Sequence, residues 1–390
     1  MTNDKGSVRI LHVITLFSVG GATETVVAIA KGLLHTRYEV MIVAGPHMES
    51  ESDMLPLALD AGIRVKIIPE LQRNIHPIKD VRAFLRLRRI MIDGQYDIVH
   101  THSSKAGIIG RLAAYSAGVK IIVHTIHGLP FHNYQNILIK KFYIIAERIA
   151  ARVTNKLVAV SHRIILDSIK HCVCRSDKFT VIRSGFDHHQ YLLNPDMMSK
   201  IKNDYKIADE DFVIGKISRL SPLKGHSALI RIAPLLARNI PKIKILFIGD
   251  GEIREELESK VRELGIEKFV VFTGAIPPAM VPHAISIMNI VVHTSMHEGL
   301  ARVIPQALAM GKPVIGYDLD GSPEVIQDGK NGYLVSPLDN GQLFASIINL
   351  AGKYSSFIEY TENNKESIRY EFSEEKMVSD YISLYDKLLG

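Results

Sequence analysis

Short runs of hydrophobic residues alternate along the chain with longer segments in which apolar residues recur every three or four positions. The short runs are typical of strands buried on both faces, and the longer segments are typical of helices that bury one side. In the first half, the predicted strands are Val8 to Thr15, Tyr38 to Ala44, Val65 to Ile68, Ile98 to Thr101 and Ile121 to His124. A helix is predicted from about Thr23 to Leu34. Strands that alternate with helices predict a parallel, doubly wound α/β sheet.

A second series of the same kind begins near Phe212. Its predicted strands are Val213 to Ser218, Ile243 to Ile248, Val270 to Phe272, Ile290 to His293 and Pro313 to Tyr317. Helices are predicted from Arg302 to Met310 and from Gly321 to Ile326. The second half of the chain is therefore expected to form a second doubly wound sheet.

The chain has 390 residues, which is more than one hydrophobic core usually supports, so two domains are expected. We predict Rossmann-like domains at residues 1–190 and 205–372, with an interdomain cleft as the ligand site. The segment Phe186 to Asp209 shows no clear period and is predicted to be the linker. The amphipathic segment Ser373 to Leu389 is predicted to be a helix that returns to the first domain.

The composition, 47% hydrophobic and 23% charged, is ordinary for a globular protein. No apolar run is long enough to span a bilayer, and the polar start from Met1 to Val8 has no signal-peptide core. A cytoplasmic location is therefore expected. Cys172 and Cys174 are too close in sequence to favour a disulfide, and no second pair completes a zinc site, so two reduced thiols are expected.

The positive charge is concentrated in the first half of the chain. Residues 1–200 hold 26 Lys and Arg against 16 Asp and Glu, whereas residues 201–390 hold 21 against 25. Two predicted helices carry many of these cations, which are Arg82, Arg86, Arg88, Arg89, Lys140, Lys141, Arg148 and Arg152. Contact with an anionic membrane surface and a solvated helix face both fit this pattern. Nucleic acid is not expected as a partner, because no recognisable nucleic-acid module accompanies the charge.

The segment from Glu298 to Val335 carries the strongest functional signal. Its carboxylate and glycine follow an apolar strand, and a predicted helix comes next. In an open α/β sheet, ligands bind outside the carboxyl ends of the strands, where helix N-termini also point. The backbone amides of Gly299, Leu300 and Ala301 would suit an anionic or hydroxyl-rich ligand at such an edge. The sequence therefore predicts a ligand site at Glu298 and these three residues.

Two cations follow the first predicted strand of the second series. Arg219 and Lys224 flank a turn that contains Pro222 and ends at Gly225. Such a turn can bring both cations to one point, where Arg would give a bidentate contact to a diphosphate and Lys a point charge. A solvated loop is the alternative interpretation. The position at the carboxyl end of a strand favours the diphosphate site.

Glycines mark the ends of three other predicted strands. They permit close approach of the backbone to a ligand, and a simple tight turn is the alternative interpretation. The glycine pair after the first strand does not complete the G-x-G-x-x-G fingerprint of dinucleotide-binding proteins. The candidate ligand-binding residues at these turns are Gly20, Gly21, Gly249, Asp250, Gly251 and Gly274.

The chain contains 17 histidines, but none of them is part of an H-E-x-x-H metal motif. His127 lies just past the carboxyl end of a predicted strand and is a candidate site residue, although an ordinary structural histidine is the alternative. Asp318 and Asp320 form a D-x-D pair that resembles a metal site, but the glycine, serine and proline that follow favour a turn. We therefore expect no metal site.

The order of these motifs resembles that of retaining glycosyltransferases of family 4, which have the two-domain GT-B fold. The resemblance covers nearly the whole chain, including VHTHSSKAGIIGRLAAYSAGVKIIVHTIHGLPF (Val99 to Phe131), SRLSPLKG and GDG. The segment that begins at Glu298 is the most specific part. It is similar to the E-x7-E signature of the family followed by G-x-P-E and G-x-N-G motifs.

The chain departs from the family pattern at two places. The second carboxylate of the signature is replaced by Gln306, and the usual Phe-Gly after the first Glu-Gly is replaced by Leu300 and Ala301. A glutamine keeps one acceptor and adds donors, but it loses the charge that would face the hydroxyls of a ribose. We expect nucleotide binding to survive this change. A backbone requirement for positive φ at Ala301 would be strained.

The resemblance implies transfer of a sugar from a nucleotide diphosphate to an acceptor hydroxyl with retention of configuration. It implies that Arg219 and Lys224 stabilise the departing diphosphate, with help from the amides of the glycine loops. It also implies that Glu298 holds donor-sugar hydroxyls, that Gln306 holds the ribose and that His127 lies beside the donor sugar. No metal and no cofactor are implied, since the nucleotide sugar is a co-substrate.

The acceptor is expected to contact the basic first domain. The charge of that domain suggests a lipid-linked saccharide used in cell-surface polysaccharide synthesis, reached at the inner face of the membrane. Three other functions of the same fold stay open at this point: a nucleotide-sugar epimerase, a phosphorylase and a non-catalytic nucleotide-sugar-binding protein. A redox enzyme is disfavoured because the dinucleotide fingerprint is incomplete.

Overall fold

The computed structural model describes residues 7–48, 52–188 and 193–390. The chain divides into two compact units. The first unit comprises Met1–Gly185 together with Glu374–Gly390, and the second unit comprises Phe186–Ser373. Each unit is built around its own parallel sheet, and the prediction of two doubly wound α/β sheets is confirmed.

The sheet of the first unit has seven strands in the part of the chain that the structure describes. They are β1 Val8–Ile14, β2 Tyr38–Ala44, β3 Arg64–Ile67, β4 Ile98–His102, β5 Ile121–Ile126, β6 Lys156–Ala159 and β7 Phe179–Val181. Their order is β3-β2-β1-β4-β5-β6-β7, and all neighbouring pairs are parallel. The helices between them are α1 Gly21–Leu33, α2 Leu55–Asp60, α3 Pro77–Gly94, α4 Ser104–Ser116, α5 Ile137–Arg152 and α6 His162–Lys170.

The sheet of the second unit has six described strands. They are β8 Phe212–Ile217, β9 Ile243–Ile248, β10 Val270–Gly274, β11 Ile290–His293, β12 Val314–Tyr317 and β13 Gly332–Val335. Their order is β10-β9-β8-β11-β12-β13, again with parallel pairs. The helices from here to the C-terminus are α7 Pro195–Asp204, α8 His226–Asn239, α9 Arg254–Glu263, α10 Val281–Ser286, α11 Val303–Ala309, α12 Asn340–Gly352, α13 Tyr354–Glu371 and α14 Glu374–Leu389.

Both sheets reverse their winding direction between two central strands. In the first unit the reversal lies between β1 and β4, and in the second unit it lies between β8 and β11. At such a switch point the loops that follow the two strands diverge, and the crevice between them is the usual ligand site of an open α/β sheet. The topology therefore points to the loops after β8 and β11 in the second unit, and to those after β1 and β4 in the first.

The terminal helix α14 belongs to the core of the first unit. Its residues Met377, Tyr381, Leu384 and Tyr385 lie in the hydrophobic cluster that also contains the buried face of α1. The fit is close, because a Cβ at Gly32 of α1 would lie 2.6 Å from a methyl group of Val378. A single methyl group at this position of α1 would therefore force the two helices apart.

The prediction that the segment Phe186 to Asp209 is a linker is wrong. Most of it is ordered structure of the second unit, because it contains α7, and residues 189–192 lie outside the described part of the chain. Asn194 caps the helix through its side chain, and Phe186, Ile201 and Ile207 are buried in the core of the unit. These three buried apolar residues are spread over more than twenty positions and show no helical periodicity. The helix could therefore not be predicted from the sequence pattern alone.

The predicted helix from Gly321 to Ile326 is also wrong, since only a single 3₁₀ turn forms there, at Ser322–Glu324. Sequence periodicity missed the strands β6, β7 and β13, which have only three or four residues each. The bounds of β2, β9 and β11, in contrast, agree with the prediction. In the described part of the chain, no helix is both long enough and apolar enough to cross a membrane.

Candidate functional site

The loop after β8 lies against the loop after β11. It contains a 3₁₀ turn at Pro222–Lys224 and ends at Gly225, whose φ of 70° is in the left-handed region. A Cβ at Gly225 would lie 1.9 Å from the carbonyl oxygen of Thr294, so only glycine fits. The Thr294 hydroxyl donates to the Gly225 carbonyl at 2.8 Å, and the Met296 amide donates to the Leu223 carbonyl at 2.8 Å. The two loops at the switch point are therefore fixed to each other.

Lys224 and Glu298 form an ion pair across these two loops. The same Glu298 oxygen accepts a hydrogen bond from the Ser295 hydroxyl at 3.0 Å. The two charged side chains are 22% and 25% exposed, so the pair is largely buried but still open to solvent. Burial acts to raise the pKa of the Glu298 carboxyl, but the Lys224 charge and the hydrogen bonds outweigh it and hold the pKa below its ordinary value. The site therefore presents an ionised carboxylate beside an ammonium group.

A buried polar layer that sequence analysis missed lies beside this ion pair. Lys216 of β8 is fully buried and donates to the Thr294 hydroxyl at 3.1 Å, and burial lowers its pKa to about 7. His293 of β11 has a ring nitrogen 3.9 Å from the Glu298 carboxylate, and burial lowers its pKa to about 3. A lysine inside a strand that is otherwise apolar was the sequence signal that could have revealed this layer. The layer makes the environment of Glu298 more polar than an ordinary sheet interior.

The backbone of the Gly249-Asp250-Gly251 turn requires glycine at both of its glycine positions. Their φ values are 134° and 156°, and the turn lies on the backbone of the loop after β8. A Cβ at Gly249 would lie 2.2 Å from the Ser218 carbonyl oxygen, and one at Gly251 would lie 2.3 Å from that of Leu220. The Asp250 carboxylate accepts from the Gly251 amide and from the Arg254 side chain. The turn therefore supports the loop that carries Arg219 and Lys224.

Gly274, at the end of β10, supports the same turn. It has a φ of 72°, and its carbonyl accepts from the Gly249 amide at 3.0 Å. A Cβ at Gly274 would lie 3.3 Å from the Arg254 guanidinium. The loops after β8, β9 and β10 thus form one continuous rim at the carboxyl edge of the sheet.

The loop after β12 holds the backbone of Glu298. The Asp320 carboxylate accepts from the Glu298 amide at 2.6 Å, and the Gly321 amide donates to the Gly299 carbonyl at 3.0 Å. A Cβ at Gly321 would lie 2.7 Å from that carbonyl oxygen and 2.9 Å from a methyl carbon of Leu300. Asp320 therefore positions the signature loop, which agrees with the interpretation of the D-x-D sequence as a turn.

Ala301, Gln306 and Arg219 are placed on the same edge of the second unit. Ala301 is not among the described residues with positive φ, so the strain considered for an alanine at this position does not arise. Its carbonyl accepts from the Ile304 amide at the start of α11. Gln306 is half-buried on α11, and Arg219 is exposed on the loop after β8. The structure thus brings Lys224 and Glu298 into direct contact and leaves Arg219 on the solvent side of their loop.

Gly20 and Gly21 lie where α1 begins in the first unit. Gly20 is extended, with φ 164°, and its carbonyl accepts from the Glu24 amide at 2.9 Å. A Cβ at Gly20 would meet no atom within 4 Å, so internal packing does not require glycine there. The assignment of Gly20 and Gly21 to a ligand-binding turn stays a prediction.

His127 is the outer member of a chain of hydrogen-bonded imidazoles. Its Nε2 is 3.2 Å from Nδ1 of His102, whose Nε2 is 3.0 Å from Nδ1 of His12. His12 and His100 are register partners in β1 and β4, next to the switch point of the first unit. His127 also lines a small cavity together with Gly128 and other residues of the loop after β5. The ring of His127 is therefore held in place by its contact with His102 of β4.

Burial keeps the inner histidines neutral. It lowers the pKa of His12 to about 3 and that of His100 and His102 well below the ordinary value, because a charged imidazole would lose its hydration. His100 is held by the Tyr385 hydroxyl at 2.5 Å and by the Thr125 hydroxyl at 2.7 Å. Sequence analysis singled out His127 but not the three inner histidines, because the sheet order that joins β1 to β4 is a long-range property.

These histidines also have the composition of a metal site. One ring nitrogen each from His12, His100 and His102 lies within 4.8 Å of the others. Both nitrogens of His100 and of His102 already have hydrogen-bond partners, and all three rings are fully buried. The arrangement is therefore that of a hydrogen-bonded network.

The geometry suits a ligand that carries both negative charge and hydroxyl groups. The second unit offers an ammonium group and an ionised carboxylate at its switch point, and a carboxylate is the stronger acceptor for hydroxyl donors. The first unit offers the imidazole of His127, whose Nε2 lies 3.2 Å from Nδ1 of His102. Two doubly wound α/β units of this kind agree with the GT-B glycosyltransferase fold that the sequence resemblance implies.

The comparison with protein families agrees with this class. The model of Glycosyltransferase Family 4 matches residues 19–190, and the model of Glycosyl transferases group 1 matches residues 197–366. The two matches follow each other and together cover most of the chain. The chain belongs to the family 4, group 1 glycosyltransferases, and the resemblance seen in the sequence is confirmed.

Individual relatives extend over nearly the same length. The UDP-Gal:α-D-GlcNAc-diphosphoundecaprenol α-1,3-galactosyltransferase of Escherichia coli is 27% identical over 354 residues, which are 89% of this chain and 89% of that protein. The capsular polysaccharide biosynthesis glycosyltransferase CapM of Staphylococcus aureus is 23% identical over 83% of this chain and 85% of its own. The crystal structure of Anabaena HepE with UDP and glucose has a TM-score of 0.82 at 22% identity, covering 97% of this chain and 100% of that chain.

Proposed function

We propose that the protein transfers a sugar from a nucleotide-diphosphate sugar to an acceptor hydroxyl with retention of the anomeric configuration. The observation that carries the proposal is the Lys224–Glu298 pair at the switch point of the second unit. Negative charge builds on the diphosphate as it departs from the sugar, and fixed cations stabilise that charge. Lys224 supplies such a cation from a loop that is held in place by Thr294 and Gly249. Arg219, on the same loop, is the second cation that we assign to the diphosphate.

The remaining contacts to the donor follow from the chemistry of the side chains. The ionised Glu298 carboxylate accepts hydrogen bonds from donor-sugar hydroxyls, and Gln306 holds the ribose with one acceptor and two donor hydrogens. We place His127 beside the donor sugar, where its ring acts as a hydrogen-bonding group. The backbone at Gly20, Gly21 and the Gly299-to-Ala301 loop gives the nucleotide sugar close access to amide groups.

The proposed reaction passes through an oxocarbenium-like transition state. The bond between the anomeric carbon and the diphosphate oxygen breaks, and a bond between that carbon and the acceptor oxygen forms on the same face. The proton of the acceptor hydroxyl moves to the departing diphosphate, so no side chain is assigned as nucleophile. The charge of the leaving group is assigned to Arg219 and Lys224, and we propose that the reaction needs no metal ion and no cofactor.

The acceptor that we propose is a lipid-linked saccharide used to build a cell-surface polysaccharide. The Escherichia coli relative is named for a diphosphoundecaprenol-linked acceptor, and the Staphylococcus aureus relative is named for capsular polysaccharide synthesis. The excess of cations in the first half of the chain supports an acceptor with a phosphate-bearing lipid carrier. The transfer would then take place at the inner face of the membrane.

The first test of this proposal is a thermal-shift screen against UDP-, GDP- and ADP-linked sugars, since a bound donor raises the apparent stability. The sugar that binds is then incubated with a saccharide acceptor in buffer containing EDTA, and the anomeric configuration of the product is read by proton NMR. We expect an α-linked product from an α-linked donor. Lys224→Ala and Glu298→Ala are expected to lower kcat by about a hundredfold or more, whereas Lys242→Ala, which removes an exposed ion pair in the same unit, serves as the matched control.

Other outcomes would overturn the proposal. Conversion of the donor to its epimer without an acceptor would identify an epimerase, and consumption of inorganic phosphate would identify a phosphorylase. A donor that binds but is never turned over would identify a non-catalytic nucleotide-sugar-binding protein. An inverted product would contradict retention, and loss of activity in EDTA that is restored by a divalent cation would contradict the metal-independent reaction.

A further inference from the structure

Helix α5 of the first unit exposes an unusually hydrophobic stripe. Leu138, Phe142, Ile145 and Ile149 follow one another at spacings of four, three and four residues and therefore share one face of the helix. Their exposed fractions are 72%, 53%, 54% and 48%. A continuous apolar stripe on a surface helix marks a site of contact with another molecule or with a membrane.

The opposite face of α5 is anchored in the unit. Ala150 and Ala151 are buried there, and Glu147 forms a buried ion pair with Arg111 of α4 at 2.7 Å. Glu147 is the only carboxylate of the helix. The outer face of α5 therefore carries no negative charge to oppose an anionic partner, and the helix cannot turn its stripe inward without breaking the ion pair.

Cations border the stripe on one side. Lys141, Arg148 and Arg152 are spaced by seven and four residues and share the face next to the apolar one. Arg148 and Arg152 also line an open groove with Arg175 and Lys178. Apolar residues beside a cluster of cations form the pattern of a helix that lies in the plane of a membrane interface.

The charge of this groove is largely uncompensated. Arg148 donates twice to the carbonyl oxygen of His171, at 3.1 and 2.7 Å, and Lys178 donates to the carbonyl oxygens of Ala151 and Thr154. Carbonyl groups hold these cations in place without cancelling their charge. Within the described residues, neither Arg148 nor Lys178 is paired with a carboxylate, and the bridge of Arg175 to Asp177, at 3.5 Å, is highly exposed.

Helix α3 provides a useful contrast within the same unit. It also exposes apolar residues, among them Val81 at 59% and Leu85 at 56%. Two of its five cations, however, are paired with carboxylates, since Arg86 pairs with Glu70 at 3.0 Å and Arg89 pairs with Asp93 at 2.7 Å. An anionic surface would gain less from these two paired cations than from the cations of the α5 groove that are held by carbonyl groups.

We propose that the outer face of α5 and the groove lined by Arg148, Arg152, Arg175 and Lys178 dock the protein on an anionic lipid bilayer. The apolar stripe would enter the interface, and the cations would contact lipid phosphates. A second copy of the chain is a poorer occupant, because a symmetric contact through this face would bring two cation clusters together, with Asp177 as the one carboxylate among the residues that line each groove. The inference rests on the proposed function in one respect, since it places the enzyme at the surface that holds a lipid-linked acceptor.

The test is sedimentation of the full-length protein with vesicles of phosphatidylcholine alone or with 30% phosphatidylglycerol added. We expect binding to the anionic vesicles that weakens as salt is raised and little binding to phosphatidylcholine. Phe142→Asp and Ile145→Asp are each expected to weaken binding by about tenfold or more. Arg148→Gln is expected to weaken it by about fivefold. Leu85→Asp on α3 is the matched control and is expected to bind like the wild type.

Three results would overturn the proposal. They are absence of wild-type binding to anionic vesicles, equal losses for Leu85→Asp and Phe142→Asp, and a wild-type dimer that Phe142→Asp converts to a monomer in sedimentation velocity. The last result would show that a second copy covers the stripe. Turnover with a water-soluble saccharide acceptor is measured in parallel and is expected to be unchanged in Phe142→Asp. Vesicle binding without any turnover would contradict the proposed function and leave the docking surface intact.

Discussion

At the scale of single residues, the tautomer of His12 determines which ring nitrogen of His127 carries the proton. His12 Nε2 is buried and has no hydrogen-bond partner, whereas its Nδ1 is 3.0 Å from His102. Buried N–H groups without an acceptor are rarer than buried acceptors without a donor, so we expect the His12 proton on Nδ1. His102 then accepts at Nε2 and donates from Nδ1 to His127. His127 is thereby predicted to accept at Nε2 and to keep its own proton on Nδ1.

Nitrogen-15 NMR of the histidine-labelled protein near pH 7.5 reads this tautomer directly, because protonated and bare ring nitrogens have different shifts. We expect Nδ1–H for His127 in the wild type. In His12→Phe the constraint on His102 is removed, and a mixture of both His127 tautomers is expected. His132→Phe, at another histidine of the loop after β5, is the control and should leave the His127 signal unchanged. Protonation of His127 at Nε2 in the wild type would contradict the prediction.

At the scale of elements, the Arg111–Glu147 pair joins α4 to α5 inside the first unit. The two side chains are 0% and 4% exposed, and Arg111 also donates to the carbonyl of Gly107 at 2.7 Å. Glu147→Ala would leave a buried guanidinium without a counter-charge, which is expected to lower the free energy of unfolding by about 3–5 kcal/mol. The double variant Arg111→Met/Glu147→Leu removes both charges and is expected to regain most of that loss. Urea unfolding followed by circular dichroism measures both changes.

The control for this experiment is an exposed pair of the same charge type. Asp93→Ala on α3 breaks the exposed pair with Arg89 and is expected to cost less than about 1 kcal/mol. A cost for Glu147→Ala as small as that for Asp93→Ala would contradict the prediction. It would mean that water reaches Arg111, and that α5 is held to the unit less firmly than its burial indicates.

At the scale of the whole molecule, the sequence was most informative where strands are long and buried and where motifs are local. The strand bounds of β9 and β11 and the loops that carry Lys224 and Glu298 could be predicted because each depends on contiguous residues. Short edge elements such as β7, and the helix α7, could not, because a few scattered apolar residues define them. The histidine network could not be predicted either, since it requires the pairing of β1 with β4, almost ninety residues apart.

The return of α14 to the first unit gives the last prediction. Tyr385 is fully buried, and its hydroxyl bonds to His100 of β4 at 2.5 Å, while Tyr381 bonds to Thr125 of β5 at 3.0 Å. Tyr385→Ala would leave a cavity and an unpaired imidazole nitrogen, at an expected cost of about 3–5 kcal/mol. Because Met377, Tyr381, Leu384 and Tyr385 of α14 lie in the core cluster of the first unit, hydrogen exchange is expected to accelerate in β4 and β5 and to stay unchanged in β8 and β11. Tyr370→Ala, at a tyrosine that is 72% exposed, is the control. Equal acceleration in both sheets would show instead that the two units open together as one cooperative structure.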